Sequence, residues 1–444
     1  MRFVFALYLC FFTYLTSYSQ SNFQLANNKK RIVIPFKLIN NLIFIPIKVN
    51  GETLTFLLDT GVEQTILFSL DDKQQVSLFH LQKINLKGLG SNDAVEAYKS
   101  SENKMEVNGY VDDEHEIYLI LDQEFNFSSQ VGIPVNGIIG YHFFKSHPTE
   151  IDYERKKIIV YSADNKKLSK KLMRNFKKDS IAIEENKPYY VSNVTTTTLS
   201  YPSKMLLDTG NSDALWLFLN KPTQLQLPPK TIQDFLGRGF SGNVYGQRAR
   251  IPSFTFGSTT FENGIGTFPD STSIKSLNFV KDRAGSIGGE ILSRFQIVFD
   301  YPNGKLYSKP NSKCNEPFNY NMSGIEVQHD GLEWVKETYE DNQSKGQTFY
   351  NGYTSDIRVQ DNLKIKFELK PVFRIYNVRA DSPAAQAGLS AKDKIIAINK
   401  QKAHTLSIEK INEILKSEEG KTIEIVIERS SKVYTFKFQL KKIL

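Results

Sequence analysis

Two short segments carry residues suited to acid–base chemistry at the tip of a strand. Phe56-Leu57-Leu58-Asp59-Thr60-Gly61 recurs as Met205-Leu206-Leu207-Asp208-Thr209-Gly210, the aspartates lying 208 − 59 = 149 positions apart. In each copy three apolar residues read as the end of a buried strand that delivers an aspartate to its tip. The following glycine permits a tight turn and the close approach of a second backbone. The threonine hydroxyl is placed to hydrogen-bond to a facing loop. If the copies pack around a pseudo-twofold axis, the carboxyls meet at about 3 Å, too close for both to ionise, and they share one proton. The ionised member then serves as general base for a water, while the protonated one polarises a carbonyl and passes its proton to a leaving amine. This chemistry requires neither a metal nor a nucleophilic side chain.

Further landmarks keep the same offset. Gly137-Ile138-Ile139-Gly140 is followed by Gly285-Ser286-Ile287-Gly288, with 285 − 137 = 148. Glu150-Ile151-Asp152-Tyr153 is followed by Val298-Phe299-Asp300-Tyr301, with 300 − 152 = 148. A shared spacing of this size marks a duplicated domain. Each copy reads as strand-rich. Strands are expected over 31–37, 42–49 and 53–58, with Asn50-Gly51 as a hairpin turn, and over 180–184, 189–195 and 204–207 in the second copy. Short strands punctuated by Gly and Asn favour small β-barrel lobes.

The doubled motif resembles the aspartic proteases of the pepsin and retropepsin type over about residues 28–310. The resemblance implies a mainly β fold of two retropepsin-like barrel lobes in a pepsin-like bilobed arrangement. It implies Asp59 and Asp208 as the catalytic pair, Thr60 and Thr209 as interlocked hydroxyls beneath them, and Gly61 and Gly210 as the turn glycines. Ile139-Gly140 and Ile287-Gly288 look like the hydrophobic-Gly element that supports each catalytic loop. Hairpin flaps are expected in 88–100 and 237–247, with Tyr98 and Tyr245 as residues reaching substrate. The first loop departs from the pattern: Val62 removes a hydroxyl contact to Asp59, and Glu63 adds an acid expected to perturb the dyad. The second loop, Asn211-Ser212, fits the family more closely. The implied activity is endopeptidase action on peptide or protein substrates, with no cofactor; the alternative is a non-catalytic peptide-binding scaffold that keeps the bilobed cleft.

Residues 315–444 form a separate unit. Ser382-Pro383-Ala384 and Ala387-Gly388-Leu389 frame a short helix, with Pro at its start and Gly at its end. The stretch 407–417 is an amphipathic helix with Ile408, Ile411 and Leu415 on one face. Together with Asp393-Lys394-Ile395-Ile396-Ala397-Ile398-Asn399 this resembles a bacterial-type PDZ domain, of small α+β build. Lys392 and Lys400 stand where that family usually has glycine. The resemblance implies capture of a chain end or extended peptide, with Ser323, Gly324 and Ile325 as the carboxylate loop and an insertion around 334–363; the alternative is a purely structural or partner-docking role.

Residues 1–19 read as a secretory signal: Arg2 supplies the positive region, 3–15 are apolar but too few to span a bilayer, and Thr16, Ser17 and Ser19 offer small residues for cleavage. The protein is therefore expected to be exported, to a periplasmic, outer-surface or secreted location, and the PDZ resemblance points to a bacterial envelope. Loss of Cys10 with the signal leaves Cys314 alone, so no intramolecular disulfide is expected. The remaining boundaries read as 28–162 and 180–311 for the lobes, with a basic linker at 163–179. The formal net charge of +8 owes much to that linker, read as a solvated helix whose Leu168, Leu172 and Met173 touch a lobe. No aromatic–basic pattern accompanies it, so no nucleic-acid partner is expected. His142 and His147, five apart, do not share a helical face, and no metal site is expected. A monomer is the expected state.

Overall fold

The computed structural model describes residues 22–68, 76–86, 95–120, 127–219, 224–239, 242–274, 279–340 and 363–444. The expected signal at 1–19, most of the first flap tip, and 341–362 lie outside these residues.

The first lobe uses β1 (Arg31–Pro35), β2 (Leu42–Val49), β3 (Glu52–Leu58), β4 (Thr65–Leu67), β5 (Gln82–Leu86), β6 (Val95–Val107), β7 (Tyr110–Ile120), helix α1 (Phe127–Val131) and β8 (Gly137–Ile139). The β2–β3 turn forms because Asn50 (φ 49°) and Gly51 (φ 96°) tolerate the left-handed backbone of a tight hairpin. Six of these strands close on themselves in the order β2-β3-β8-β4-β7-β6, with β6 returning to β2. Closure removes unpaired edges, and inward residues such as Ile45, Ile47, Phe56 and Leu58 are fully buried.

The chain then adds β9 (Thr149–Asp152), β10 (Lys157–Tyr161), helix α2 (Lys166–Asn175) and β11 (Lys177–Ser180). The second lobe follows with β12 (Lys187–Thr195), β13 (Ser200–Asp208), β14 (Leu215–Leu217), β15 (Thr231–Gly239), β16 (Gly242–Phe256), β17 (Thr259–Pro269) and β18 (Arg283–Gly288). Its ring, β12-β13-β18-β14-β17-β16 and back to β12, repeats the first lobe strand for strand. The parallel β3–β8 pair has its counterpart in the parallel β13–β18 pair.

Strands β19 (Phe295–Asp300) and β20 (Lys305–Pro310) complete a six-stranded sheet shared by both lobes, in the order β11-β20-β19-β9-β10-β1. At its centre Glu150 pairs with Val298, residues 298 − 150 = 148 apart and therefore equivalent in the two repeats. The pseudo-twofold axis passes through this pair. Here the buried Glu150 carboxylate accepts hydrogen bonds from Lys171 Nζ at 2.7 Å, Tyr161 Oη at 2.6 Å and Gln296 Nε2, which satisfies a charge that would be costly if left alone. Thus the basic helix α2 is pinned under the interlobe sheet through Lys171, Leu168 and Leu172. Met173 was expected on that face but is 79% exposed, because it lies one residue beyond the 168/172 stripe of the helix. The segment after α2 is not simply linker: residues 177–180 pair with β20.

The last unit contains β21 (Ile325–Glu340), β22 (Leu363–Val378), helix α3 (Pro383–Ala387), β23 (Lys394–Ile398), helix α4 (Ile408–Leu415), β24 (Thr422–Arg429) and β25 (Lys432–Gln439). The sheet runs β21-β22-β23-β24-β25. Ser382 caps α3 by accepting from Ala385 N–H, Pro383 opens it, and Gly388 ends it at φ 95°. Ser407 caps α4, which buries Ile408, Ile411 and Leu415. The ends of the expected insertion prolong the sheet, for Trp334 pairs with Leu369 and Glu340 with Leu363.

Candidate active site

Strands β3 and β13 end at the lobe interface and turn their loops towards each other. Thr60 N–H donates to Thr209 Oγ1 and Thr209 N–H to Thr60 Oγ1, both at 3.0 Å. The Thr60 hydroxyl donates to the Leu207 carbonyl at 2.6 Å, and the Thr209 hydroxyl to the Leu58 carbonyl at 2.7 Å. These four reciprocal bonds are wholly buried, so each loop satisfies backbone groups that the other would leave orphaned. Both loops are backed from outside. Asp59 N–H donates to the Ile139 carbonyl at 2.9 Å, and Gly288 N–H to the Ala214 carbonyl at 2.9 Å. A methyl group on Gly140 would stand 2.2 Å from the Asp59 carbonyl oxygen, and one on Gly288 2.2 Å from that of Asp213. Only glycine fits either place.

This lock brings the two carboxyls together. A methyl on Gly210 would come within 2.1 Å of Asp59 Oδ2, and one on Gly61 within 2.9 Å of Asp208 Oδ1, so each turn glycine leaves space for the opposite acid. Gly61 N–H donates to Asp59 Oδ1 at 2.7 Å, and Gly210 N–H to Asp208 Oδ1 at 3.1 Å. Asp59 and Asp208 are thus close enough for each to act on the other's titration.

The surroundings of the two acids differ. Burial raises the Asp59 carboxyl far above the ordinary range, and the Asp208 charge raises it further. Asp208 is also raised by burial, but the Arg283 guanidinium and the N–H of Gly210 oppose this. The repeats are therefore not electrically equivalent. Arg283 lies on β18 of the second lobe, donates to Ser286 Oγ at 2.8 Å, and is stacked on Phe218 and Phe279. Lys187, at the head of β12, adds a second positive charge acting on both acids. Sequence reading missed both cations; each lies outside the repeated motif, and only the fold sets it beside the dyad.

Other expected residues lie elsewhere. Glu63 turns to the other lobe: it accepts from Asn186 Nδ2 at 2.8 Å, across the lobe interface. Val62 packs against the core, and its carbonyl receives Tyr141 N–H at 3.1 Å. Tyr98 is half-buried in β6, paired with Lys83 and Leu119. Tyr245 is 40% exposed and packs edge-on against Phe235 on the neighbouring strand. That strand pair is turned to the C-terminal domain, where Tyr376 donates to Asn243 Oδ1 at 2.7 Å and Phe235 meets the Tyr376 ring at 5.4 Å. Tyr245 thus belongs to an interdomain contact rather than to a flap.

The expected carboxylate loop is also occupied. Ser323 and Gly324 N–H groups both donate to Asn321 Oδ1 at 3.1 Å, and Ile325 N–H donates to Ser323 Oγ at 3.1 Å. Its amides are satisfied by the loop's own side chains, so Ser323, Gly324 and Ile325 do not present the open donors that a chain terminus requires. The sequence could not show this, because Asn321 reaches back over the loop only in the folded turn. A buried Asp112–His115–Thr65 relay, with both hydrogen bonds at 2.7 Å, resembles a nucleophile triad, yet all three residues are at most 2% exposed and no substrate reaches Thr65.

Residues 45–143 match the family model described as aspartyl protease, and residues 374–429 match that of the PDZ domain. Among solved structures, the chain aligns with an aspartic proteinase from Irpex lacteus at 13% identity and a TM-score of 0.41, over 64% of this chain and 99% of that one. No curated protein matches it in sequence. The first repeat thus matches the aspartyl protease model, the second is built on the same ring of strands, the two Asp-Thr-Gly loops interlock in a pepsin-like, two-lobed arrangement, and the C-terminal unit carries the PDZ match.

Proposed function

We propose that this protein is an exported endopeptidase that hydrolyses peptide bonds with a water held between Asp59 and Asp208. The observation that carries the reading is the approach of two buried carboxyls on loops locked together by Thr60 and Thr209. Asp208, held towards its ionised form by Arg283, removes a proton from the water as its oxygen attacks the peptide carbon. Asp59 donates its proton to the carbonyl oxygen. The resulting gem-diol collapses as Asp59 takes that proton back and Asp208 delivers the other to the nitrogen. The C–N bond breaks, a carboxyl and an amine leave, and the starting protonation is restored. General acid and base each contribute about 10²–10⁴ in rate. Export rests on the composition of residues 1–19, and the described residues contain no helix long and apolar enough to cross a membrane.

The test uses purified full-length protein and a random peptide library analysed by mass spectrometry from acid to neutral pH. Internal cleavage should occur in the wild type and fall about 10³-fold or more in both Asp59→Asn and Asp208→Asn. A wild type that binds peptides without cutting them at any pH would instead establish the scaffold reading.

A further inference from the structure

An extended peptide binds a PDZ domain by adding to the open edge of its sheet, beside a helix. In this chain that edge is β21, which among the described residues pairs with β22 on one side only and has α4 packed next to it. The place is already taken. Helix α1 of the first lobe lies against β21, and Gly132, just beyond α1, sits so close to α4 that a methyl on it would be 3.5 Å from Ile408 Cγ2. Asn412 of α4 donates to Asn40 Oδ1 at 3.3 Å. From the other side α1 is tied to its own lobe: Val135 N–H donates to Ser128 Oγ at 2.9 Å, and the Phe127 ring meets Phe44 of β2. A cavity of about 190 Å³ remains between them, lined by Gln130, Glu326, Gln328, Asp213, Glu290 and Lys416.

We propose that the partner of the PDZ ligand edge is this chain's own segment 127–132, and that an extended peptide from outside binds there only by displacing it. Two features of the molecule support this over an open peptide trap. The loop that would hold a chain terminus has its amides already filled by Asn321 and Ser323. The docked domain is also fastened to the catalytic machinery by alternating charges. Arg379 of the PDZ domain meets Asp234 at 3.4 Å, Asp234 meets Arg248 at 2.8 Å, and Arg248 meets Asp213 at 3.0 Å, three residues beyond Gly210. The C-terminal domain therefore holds both lobes, the first through α1 and the second through this chain of ions. Peptide binding at β21 and the docked state are then mutually exclusive, and each weakens the other by the same factor.

The experiment needs no proteolysis, so it stands even if the dyad is inactive. Full-length wild type, Gly132→Val and the milder Asn412→Ala are compared, with melting curves confirming that each is folded. Hydrogen exchange is followed at α1 and β21, and binding is measured by anisotropy with a labelled pool of extended hexapeptides. Gly132 has φ 72° and touches Ile408, so valine strains the turn and pushes it from the helix. We expect protected amides in the wild type, joint loss of protection at α1 and β21 in Gly132→Val, and about tenfold tighter peptide binding there. Asn412→Ala should lie between. The proposal is overturned if exchange at α1 and β21 is the same in all three proteins, or if saturating peptide binds the wild type as tightly as Gly132→Val and leaves α1 protected.

Discussion

Replacing Thr209 with valine keeps the shape of the side chain and removes only its hydroxyl. Two buried backbone groups then lose their partners: the Leu58 carbonyl, which accepts from Thr209 Oγ1 at 2.7 Å, and Thr60 N–H, which donates to it at 3.0 Å. An orphaned buried polar group costs about 1–3 kcal/mol, so the pair costs roughly 2–6 kcal/mol. At about 2–4 °C per kcal/mol for chains or domains of this size, the melting temperature should fall by roughly 4–24 °C. Activity should fall further than stability explains. Asp59 and Asp208 are one residue from these hydroxyls, and a displacement near 1 Å costs about 10² in rate. The assays are calorimetry and steady-state kinetics on a cleavable reporter peptide. Thr209→Ser, which keeps the hydroxyl, should stay near wild type in both. Thr60→Val should match Thr209→Val, because its hydroxyl serves Leu207 and Thr209 symmetrically. A Thr209→Val enzyme that melts within about 1 °C of wild type and turns over at its rate would refute the claim that these bonds hold the dyad together.

Gly210→Ala should abolish measurable cleavage, since its methyl would overlap Asp59, whereas Gly61→Ala, whose methyl would be 2.9 Å from Asp208 Oδ1, should retain some; reporter kinetics distinguish them. Removing the cation in Arg283→Met should move the acid limb of the kcat/KM profile to higher pH, because that charge favours ionised Asp208. Glu326 is pushed up to about 7 by burial, with the Asp234 charge adding to it. A carboxyl whose folded value is raised contributes stability that is full below its unfolded value and disappears as pH rises through the folded one. Denaturant melts should therefore show wild-type stability falling between about pH 5 and pH 8, with a flatter profile in Glu326→Gln. Lys392 and Lys400 sit at φ 74° and 66°, so glycine at either position should stabilise the PDZ domain by about 1 kcal/mol, read from its unfolding midpoint.

The repeat explains how much could be read without coordinates. Aspartate, threonine and glycine recur in order behind apolar triplets, and side chains that must alternate along short strands leave a pattern in the chain itself. That was enough to indicate a mainly β, two-lobed molecule, a candidate pair of acids and a PDZ domain, because turn glycines, helix caps and buried stripes are local requirements. Pro383, Gly388 and the Ile408–Ile411–Leu415 stripe are of the same kind. What acts across space left no such trace. Nothing near Asp208 in sequence announces Arg283, 75 positions later, yet the fold brings its guanidinium from the start of β18 close enough to act on that carboxyl and so distinguishes the two acids. Glu63 looked like a neighbour of the dyad because it is four residues from Asp59, but its side chain turns to Asn186 of the other lobe. Likewise Tyr245 and the Ser323–Ile325 loop matched their motifs and were put to other uses by Phe235, Tyr376 and Asn321. Sequence fixes which groups are available and what each short segment prefers, since those energies are local. Folding alone assigns the partners, because a carboxyl's proton or a strand's free edge depends on whatever distant segment packs beside it.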